Sequence, residues 1–171
     1  MKKHPRSGKK PDRYFFYGTH AVKAALENKD RPCYTLFTTS SHADLKNEIL
    51  RLAERRQLEP QAVDTAKLQS LVGFDKTHQN VVLEVGELQT PSLTEVLKNN
   101  AQKDQTFLLL DQLTDPMNVG AILRSAKAFG VQAVLMPKHG SCALNAVVAK
   151  TAAGALDKMA IVQVTNVYQA L

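Results

Sequence analysis

The chain has 171 residues, 44% of them hydrophobic, and a formal net charge of +6. That length suits one domain or two small ones, and no apolar run approaches the roughly 20 residues a membrane-spanning helix needs. No secretory signal is expected, since no apolar segment follows the basic start, and Cys33 and Cys142 lack metal-ligand or redox spacing. Two lone thiols fit a reducing, cytoplasmic setting, each as a small buried hydrophobe.

The charge is concentrated at the start. Lys2, Lys3, Arg6, Lys9, Lys10 and Arg13 against Asp12 place +5 in residues 1–13, leaving about +1 for the rest. Residues 1–13 are therefore expected to be a flexible basic arm. Such an arm captures RNA by releasing counterions, or serves only as a solvated terminus.

Residues 17–27 open with a turn and continue as a helix, with Thr19 as N-cap and Ala21, Ala24 and Leu26 as apolar positions. A strand is expected at 33–38. A helix follows at 44–57, where Leu45, Ile49, Leu50 and Ala53 recur at helical spacing. A short strand at 60–63, a helix at 65–72 and a strand at 81–85 complete an αβαβαβ unit over 14–86. Residues 87–104 are polar, contain Pro91, Asn99 and Asn100, and read as a linker with a short helix at 93–98. From 105 to 171 strands at 106–111, 131–136 and 160–164 alternate with helices at 118–129, 144–150 (extending towards 155) and 167–171. This alternation implies a mostly parallel sheet.

The chemistry concentrates at 111–130. A strand leads into a polar turn, and a helix follows with Val119, Ile122, Ala126 and Phe129 on one face. Polar groups at a strand's carboxyl end and a helix's start are where open α/β sheets bind ligands. Asp115-Pro116 suits the turn. Asn118 is expected to cap the helix, and Gly120 admits a close backbone or ligand. Arg124 sits about 140° around the helix from Val119, off the core face. The helix start favours a phosphate or ribose hydroxyl, and the Arg124 fork pairs with phosphate. On the residues alone, Asn118 reads equally as a plain cap and Arg124 as a surface ion-pair residue. Gly130 reads as the helix stop.

The ordered set Asp115-Pro-x-Asn118-Val-Gly-Ala-Ile-x-Arg124-Ser-Ala-x-Ala-Phe-Gly130 resembles the first signature motif of the SpoU (TrmH-type) RNA 2′-O-ribose methyltransferases. The resemblance continues through Val134-Leu-Met-Pro-Lys138 and Lys150-Thr-Ala-Ala-Gly154-Ala-Leu156. Upstream, Tyr17-Gly-Thr-His-Ala-Val22 is similar to the opening of the family's substrate-binding domain. His78-Gln79 is similar to its closing turn, with Asn80 where glycine is usual.

The resemblance implies a small L30e/L7Ae-like α/β domain followed by a parallel-sheet SPOUT-type α/β domain. It also implies methyl transfer from S-adenosylmethionine to a ribose 2′-hydroxyl of RNA, most readily ribosomal RNA. Arg124 would act on that hydroxyl, as a clamp on the developing alkoxide or a neighbouring phosphate rather than as a base. Asn118 would orient Arg124 or the ribose. The family's cofactor site uses two later motifs, which also tie a carboxyl-terminal trefoil knot and carry the homodimer contact. Neither motif occurs up to Leu171, so no cofactor-binding residue is assigned and no metal ligand is expected. The second reading is a non-catalytic RNA-binding remnant of such an enzyme.

Overall fold

The computed structural model describes residues 12–39, 47–99 and 105–170. The expected arm residues Lys2, Lys3, Arg6, Lys9 and Lys10 lie outside them, as does Leu45. Among the described residues no helix is long and apolar enough to cross a membrane.

The first sheet has four strands in the order β1-β4-β2-β3. These are β1 (Tyr14–Tyr17), β2 (Cys33–Thr39), β3 (Gln61–Val63) and β4 (Val81–Val85). β4 pairs antiparallel with both β1 and β2, and β2 runs parallel to β3. Val-Val-Leu-Glu-Val in β4 is buried at every apolar position, as a central strand requires. Helices α1 (Thr19–Glu27), α2 (Asn47–Arg55) and α3 (Thr65–Val72) complete this half. Strand β1 is the addition to the expected order. Its four aromatic residues show no alternation, yet Phe16 is fully buried and Tyr17 nearly so.

The expected Thr19 cap is replaced by Gly18, which holds φ at +84° with no side-chain cap. Thr19 N–H instead donates to the Gln79 side-chain oxygen at 3.1 Å. Gln79 and Asn80 both adopt positive φ, 54° and 59°, so the turn before β4 survives without glycine because asparagine tolerates that region.

The second sheet is wholly parallel, β5 (Phe107–Leu109), β6 (Ala133–Pro137) and β7 (Ala160–Val164) in that order. Around it lie α4 (Leu93–Asn99), α5 (Pro116–Ala128), α6 (Ala146–Thr151), a 3₁₀ turn (Ala155–Lys158) and α7 (Val167–Ala170). Helix α4 is no solvated linker segment. Ser92 and Glu95 form a reciprocal cap, with Ser92 N–H donating to the carboxylate at 2.7 Å and Glu95 N–H to the hydroxyl at 3.3 Å. Val96 then packs with Ala133, Leu135, Val162 and Val164. The stretch has a polar composition because only one face of a short helix is covered.

The two sheets share one hydrophobic cluster. It runs from Phe16, Val22 and Leu83 in the first half to Val119, Leu123, Val148 and Leu156 in the second. Full burial of each such aliphatic side chain contributes about 1.5–3 kcal/mol. The halves are thus joined by core packing as well as by chain.

Candidate functional site

Leu110 follows β5 into the site, and its N–H donates to Leu135 O at 2.9 Å. The chain turns at Gln112, with φ at +52°, and enters α5 at Asp115. Asp115, not Asn118, is the N-cap. Its carboxylate accepts from Met117 N–H at 3.0 Å, and Pro116 fills the first helical position. Proline suits that position because its missing N–H would be unpaired there anyway. This shifts the helix start upstream and places Asn118 within the first turn. Part of the free donor capacity at the helix start is consumed by the protein's own carboxylate, so the start is less open to phosphate than its sequence implies.

Asn118 and Arg124 are both exposed, and neither makes a hydrogen bond or ion pair with another described residue. Six residues apart, they stand about 120° apart around the helix and about 9 Å along it. No contact joins them, so Asn118 does not hold Arg124 in this state. The helix beneath is rigidly seated. Val119, Gly120, Leu123 and Ala126 are buried, whereas Phe129, expected on the core face, is 85% exposed at the helix end. The buried stripe therefore falls on Leu123 rather than Phe129. Gly130, at φ +74°, ends the helix as expected.

Gly120 serves helix packing rather than a ligand. A Cβ there would lie 2.6 Å from Thr151 Cβ and 2.9 Å from Val148 O, so only glycine lets α5 and α6 approach this closely. Helix α6 is capped by Asn145, which accepts from Val147 and Val148 N–H at 3.0 and 3.2 Å.

Three segments far apart in sequence meet at the junction of the halves. The Lys150 ammonium donates to Thr77 O and to the Gln79 side-chain oxygen, each at 3.2 Å, and lies 5.6 Å from the Tyr17 ring centre. Burial pushes the Lys150 pKa down. Gly154 permits contact with α1, since a Cβ there would lie 3.0 Å from Ala24 Cβ. Spacing alone gave no sign of this meeting, because Lys150 and Gln79 belong to different units.

Arg13 was expected in the RNA-binding arm but is tied to the first sheet. It pairs with Glu84 at 2.7 Å and lies 4.3 Å from the Tyr34 ring centre. The hydrogen bond to Glu84 is the main cause of its raised pKa. Burial pushes both thiols up, Cys142 with a further contribution from Asp115, which agrees with unreactive cysteines. Among the described residues no cluster of His, Cys, Asp and Glu could hold a metal.

Residues 15–91 match the family model for RNA 2′-O ribose methyltransferase substrate binding, and residues 105–171 match that of the SpoU rRNA methylase family. The chain is 38% identical to the 23S rRNA (guanosine-2′-O-)-methyltransferase RlmB of Acinetobacter baylyi, over 92% of this chain and 64% of that protein. It is 36% identical to RlmB of Pseudomonas aeruginosa, over 91% and 63%. The chain thus spans less than two thirds of these relatives. Among solved structures it resembles the SpoU methyltransferase AviRb of Streptomyces viridochromogenes in complex with AdoMet. The TM-score is 0.72 at 22% identity, covering 92% of this chain and 57% of that one. An AdoMet-bound rRNA methyltransferase from Sinorhizobium meliloti gives 0.68 at 17% identity, covering 88% and 54%. These two likenesses concern the fold.

Proposed function

Since the chain belongs to the SpoU family of RNA 2′-O-ribose methyltransferases, we propose that it handles the ribose in methyl transfer from S-adenosylmethionine to a 2′-hydroxyl of ribosomal RNA. The observation that carries this reading is Arg124, a planar charged fork left unpaired on α5, the helix that follows the carboxyl end of β5. Guanosine in large-subunit rRNA is the substrate the relatives' names suggest, and the cytoplasm is where such RNA is met.

A guanidinium offers five N–H donors and no acceptor, so Arg124 does not take the hydroxyl proton. It stabilises the negative charge that grows on the ribose oxygen, or it grips an adjacent phosphate. Asn118, on the neighbouring flank, offers an amide to the ribose. When bound, S-adenosylmethionine supplies the electrophilic methyl group.

The test is methyl incorporation from labelled S-adenosylmethionine into ribosomal RNA, followed by nucleoside digestion. A 2′-O-methyl product lost in Arg124→Ala supports the reading. A base-methylated product, or normal yield from the variant, overturns it.

A further inference from the structure

Helix α1 is held against the second half at three places. Just beyond its end, Asn28 and Arg31 donate to the Asp157 carboxylate at 3.2 and 2.7 Å. Along its length, His20 O and Ala24 Cβ stand 3.1 and 3.0 Å from where a Cβ on Gly154 would lie. At its start, the Gln79 side-chain oxygen accepts from Thr19 N–H at 3.1 Å and from the Lys150 ammonium at 3.2 Å. Lys150 reaches this point because Gly18 has no side chain; a Cβ there would overlap its Nζ.

The three contacts differ in kind. The first centres on a fully buried ion pair, and the second is close packing. Lys150 is half-buried and donates only to neutral groups, Thr77 O and Gln79. No carboxylate among the described residues pairs with it. A partly desolvated cation on neutral acceptors adds little stability, and an apolar chain of the same length would fill the place without that cost. What the ammonium adds is direction, since its hydrogen bonds fix where the turn at 77–80 sits against α6.

The same stretch of α6 meets the helix that carries Arg124. Thr151, the residue after Lys150, fills the notch at Gly120, where a Cβ would stand 2.6 Å from Thr151 Cβ. Gly120 lies one turn before Arg124 on α5. Two contacts in series therefore run from the turn at 77–80 to the Arg124 helix. That turn belongs to residues 15–91, which match the substrate-binding model.

We infer that Lys150 is a positioning residue. Through Thr77 and Gln79 it sets the angle at which the RNA-holding half meets α5, and so where the ribose is presented to Arg124. With this pin released, α1 pivots about its Asp157 end. At about 1.5 Å per residue the helix is an arm of roughly 13 Å, so a tilt of about 5° moves its start by about 1 Å. Misplacement of that size costs up to about 100-fold in rate. The inference rests on the methyl-transfer reading above.

The test compares Lys150→Met, which keeps the chain length and removes the donors, with Gln79→Glu, which keeps an acceptor for Lys150 and Thr19. Methylation of ribosomal RNA is measured beside spin-label distances between Arg55→Cys and Lys127→Cys, with Cys33 and Cys142 replaced by alanine. Lys150→Met should lower kcat at least about tenfold, leave KM and the dissociation constant for RNA within about twofold, and broaden the distance distribution. Gln79→Glu should leave kcat and the distribution as they are. Unchanged kcat in Lys150→Met, or an equal loss in Gln79→Glu, overturns the positioning role. Weaker RNA binding with normal kcat overturns it too, and makes Lys150 a contact for RNA. If the unaltered chain methylates no RNA, the methyl-transfer reading fails and the distances alone decide the pin. A broadened distribution in Lys150→Met then upholds it, and an unbroadened one overturns it.

Discussion

Arg31 and Asp157 meet at 2.7 Å across the junction of the two halves, with side-chain exposures of 0% and 1%. Asp157 also accepts from Asn28 at 3.2 Å, and Arg31 donates to Gly86 O at 3.1 Å while lying 4.9 Å from the Phe16 ring centre. One Arg31 nitrogen, Nη2, is buried without a partner. The pair therefore fixes geometry more than it adds stability, because two desolvated charges recover little beyond their burial cost.

Removing one partner strands the other charge in the core. Asp157→Ala should destabilise the chain by about 3–5 kcal/mol, and the double replacement Arg31→Met, Asp157→Leu should cost clearly less. Urea denaturation of the three proteins measures both. A loss below about 1 kcal/mol for Asp157→Ala would show that the junction opens in solution and rehydrates Arg31.

Gly120→Ala sets two effects against each other. Alanine gains about 1 kcal/mol of helix propensity over glycine. Its methyl group would press on Val148 O, a backbone atom 2.9 Å away that cannot swing aside. Overpacking of this kind costs about 1–3 kcal/mol, so the net effect should be destabilising and larger for Gly120→Val. Thermal denaturation reads it, and a raised midpoint for Gly120→Ala would refute the close α5–α6 contact.

How much of this was legible from the residues varies with the range of the interaction. Asp64 caps α3 with its carboxylate 2.7 Å from Lys67 N, and this helix at 65–72 and the strand at 160–164 fall at their expected bounds because neighbours in sequence set them. The motif turn was legible as a place. Its cap was misassigned because Asn118 and Asp115 are both good caps, and only Pro116 at the first helical position decides between them. Strand β1 was hidden because aromatic residues in an unbroken row give no period. The Lys150–Gln79 contact and the Arg31–Asp157 pair join residues 71 and 126 positions apart, and no local pattern reports such a meeting.

His78 is 6% exposed and its Nδ1 accepts from Asn80 N–H at 3.1 Å. Burial lowers its pKa. The folded state therefore prefers the neutral ring, and the unfolded chain binds the proton first as pH falls. The stability contributed by His78 is complete above the unfolded value of about 6.5 and is lost as pH drops below it towards the folded value. Melting temperature should fall between pH 6.5 and the lowered pKa, and His78→Gln should flatten that part of the profile. An identical slope in the variant would assign the acid sensitivity to other groups.

Arg124→Ala should leave the fold intact, since the side chain is exposed and without a partner; a stability change within about 0.5 kcal/mol is expected. Loss of a preorganised charge at the growing alkoxide should lower methyl-transfer kcat by about 10²–10³-fold. Arg124→Lys should restore little, because a point charge lacks the planar fork. Single-turnover methylation separates this from binding. A defect confined to KM would recast Arg124 as a contact for RNA already present in the ground state.

Lys2, Lys3, Arg6, Lys9 and Lys10 are the five cations proposed to reach RNA from the start of the chain, Arg13 being engaged with Glu84. If each displaces one counterion, deleting residues 2–10 should reduce the slope of log affinity against log salt by up to about 3.5 on single-stranded RNA, at about 0.7 per phosphate neutralised. Arg13→Ala should change that slope little and should instead loosen β1 from β4 by freeing Glu84. Anisotropy titrations across a salt series measure the slope for each protein. An unchanged slope after the deletion would make the arm a bystander and shift RNA capture to the folded residues, with Lys138 the first to substitute.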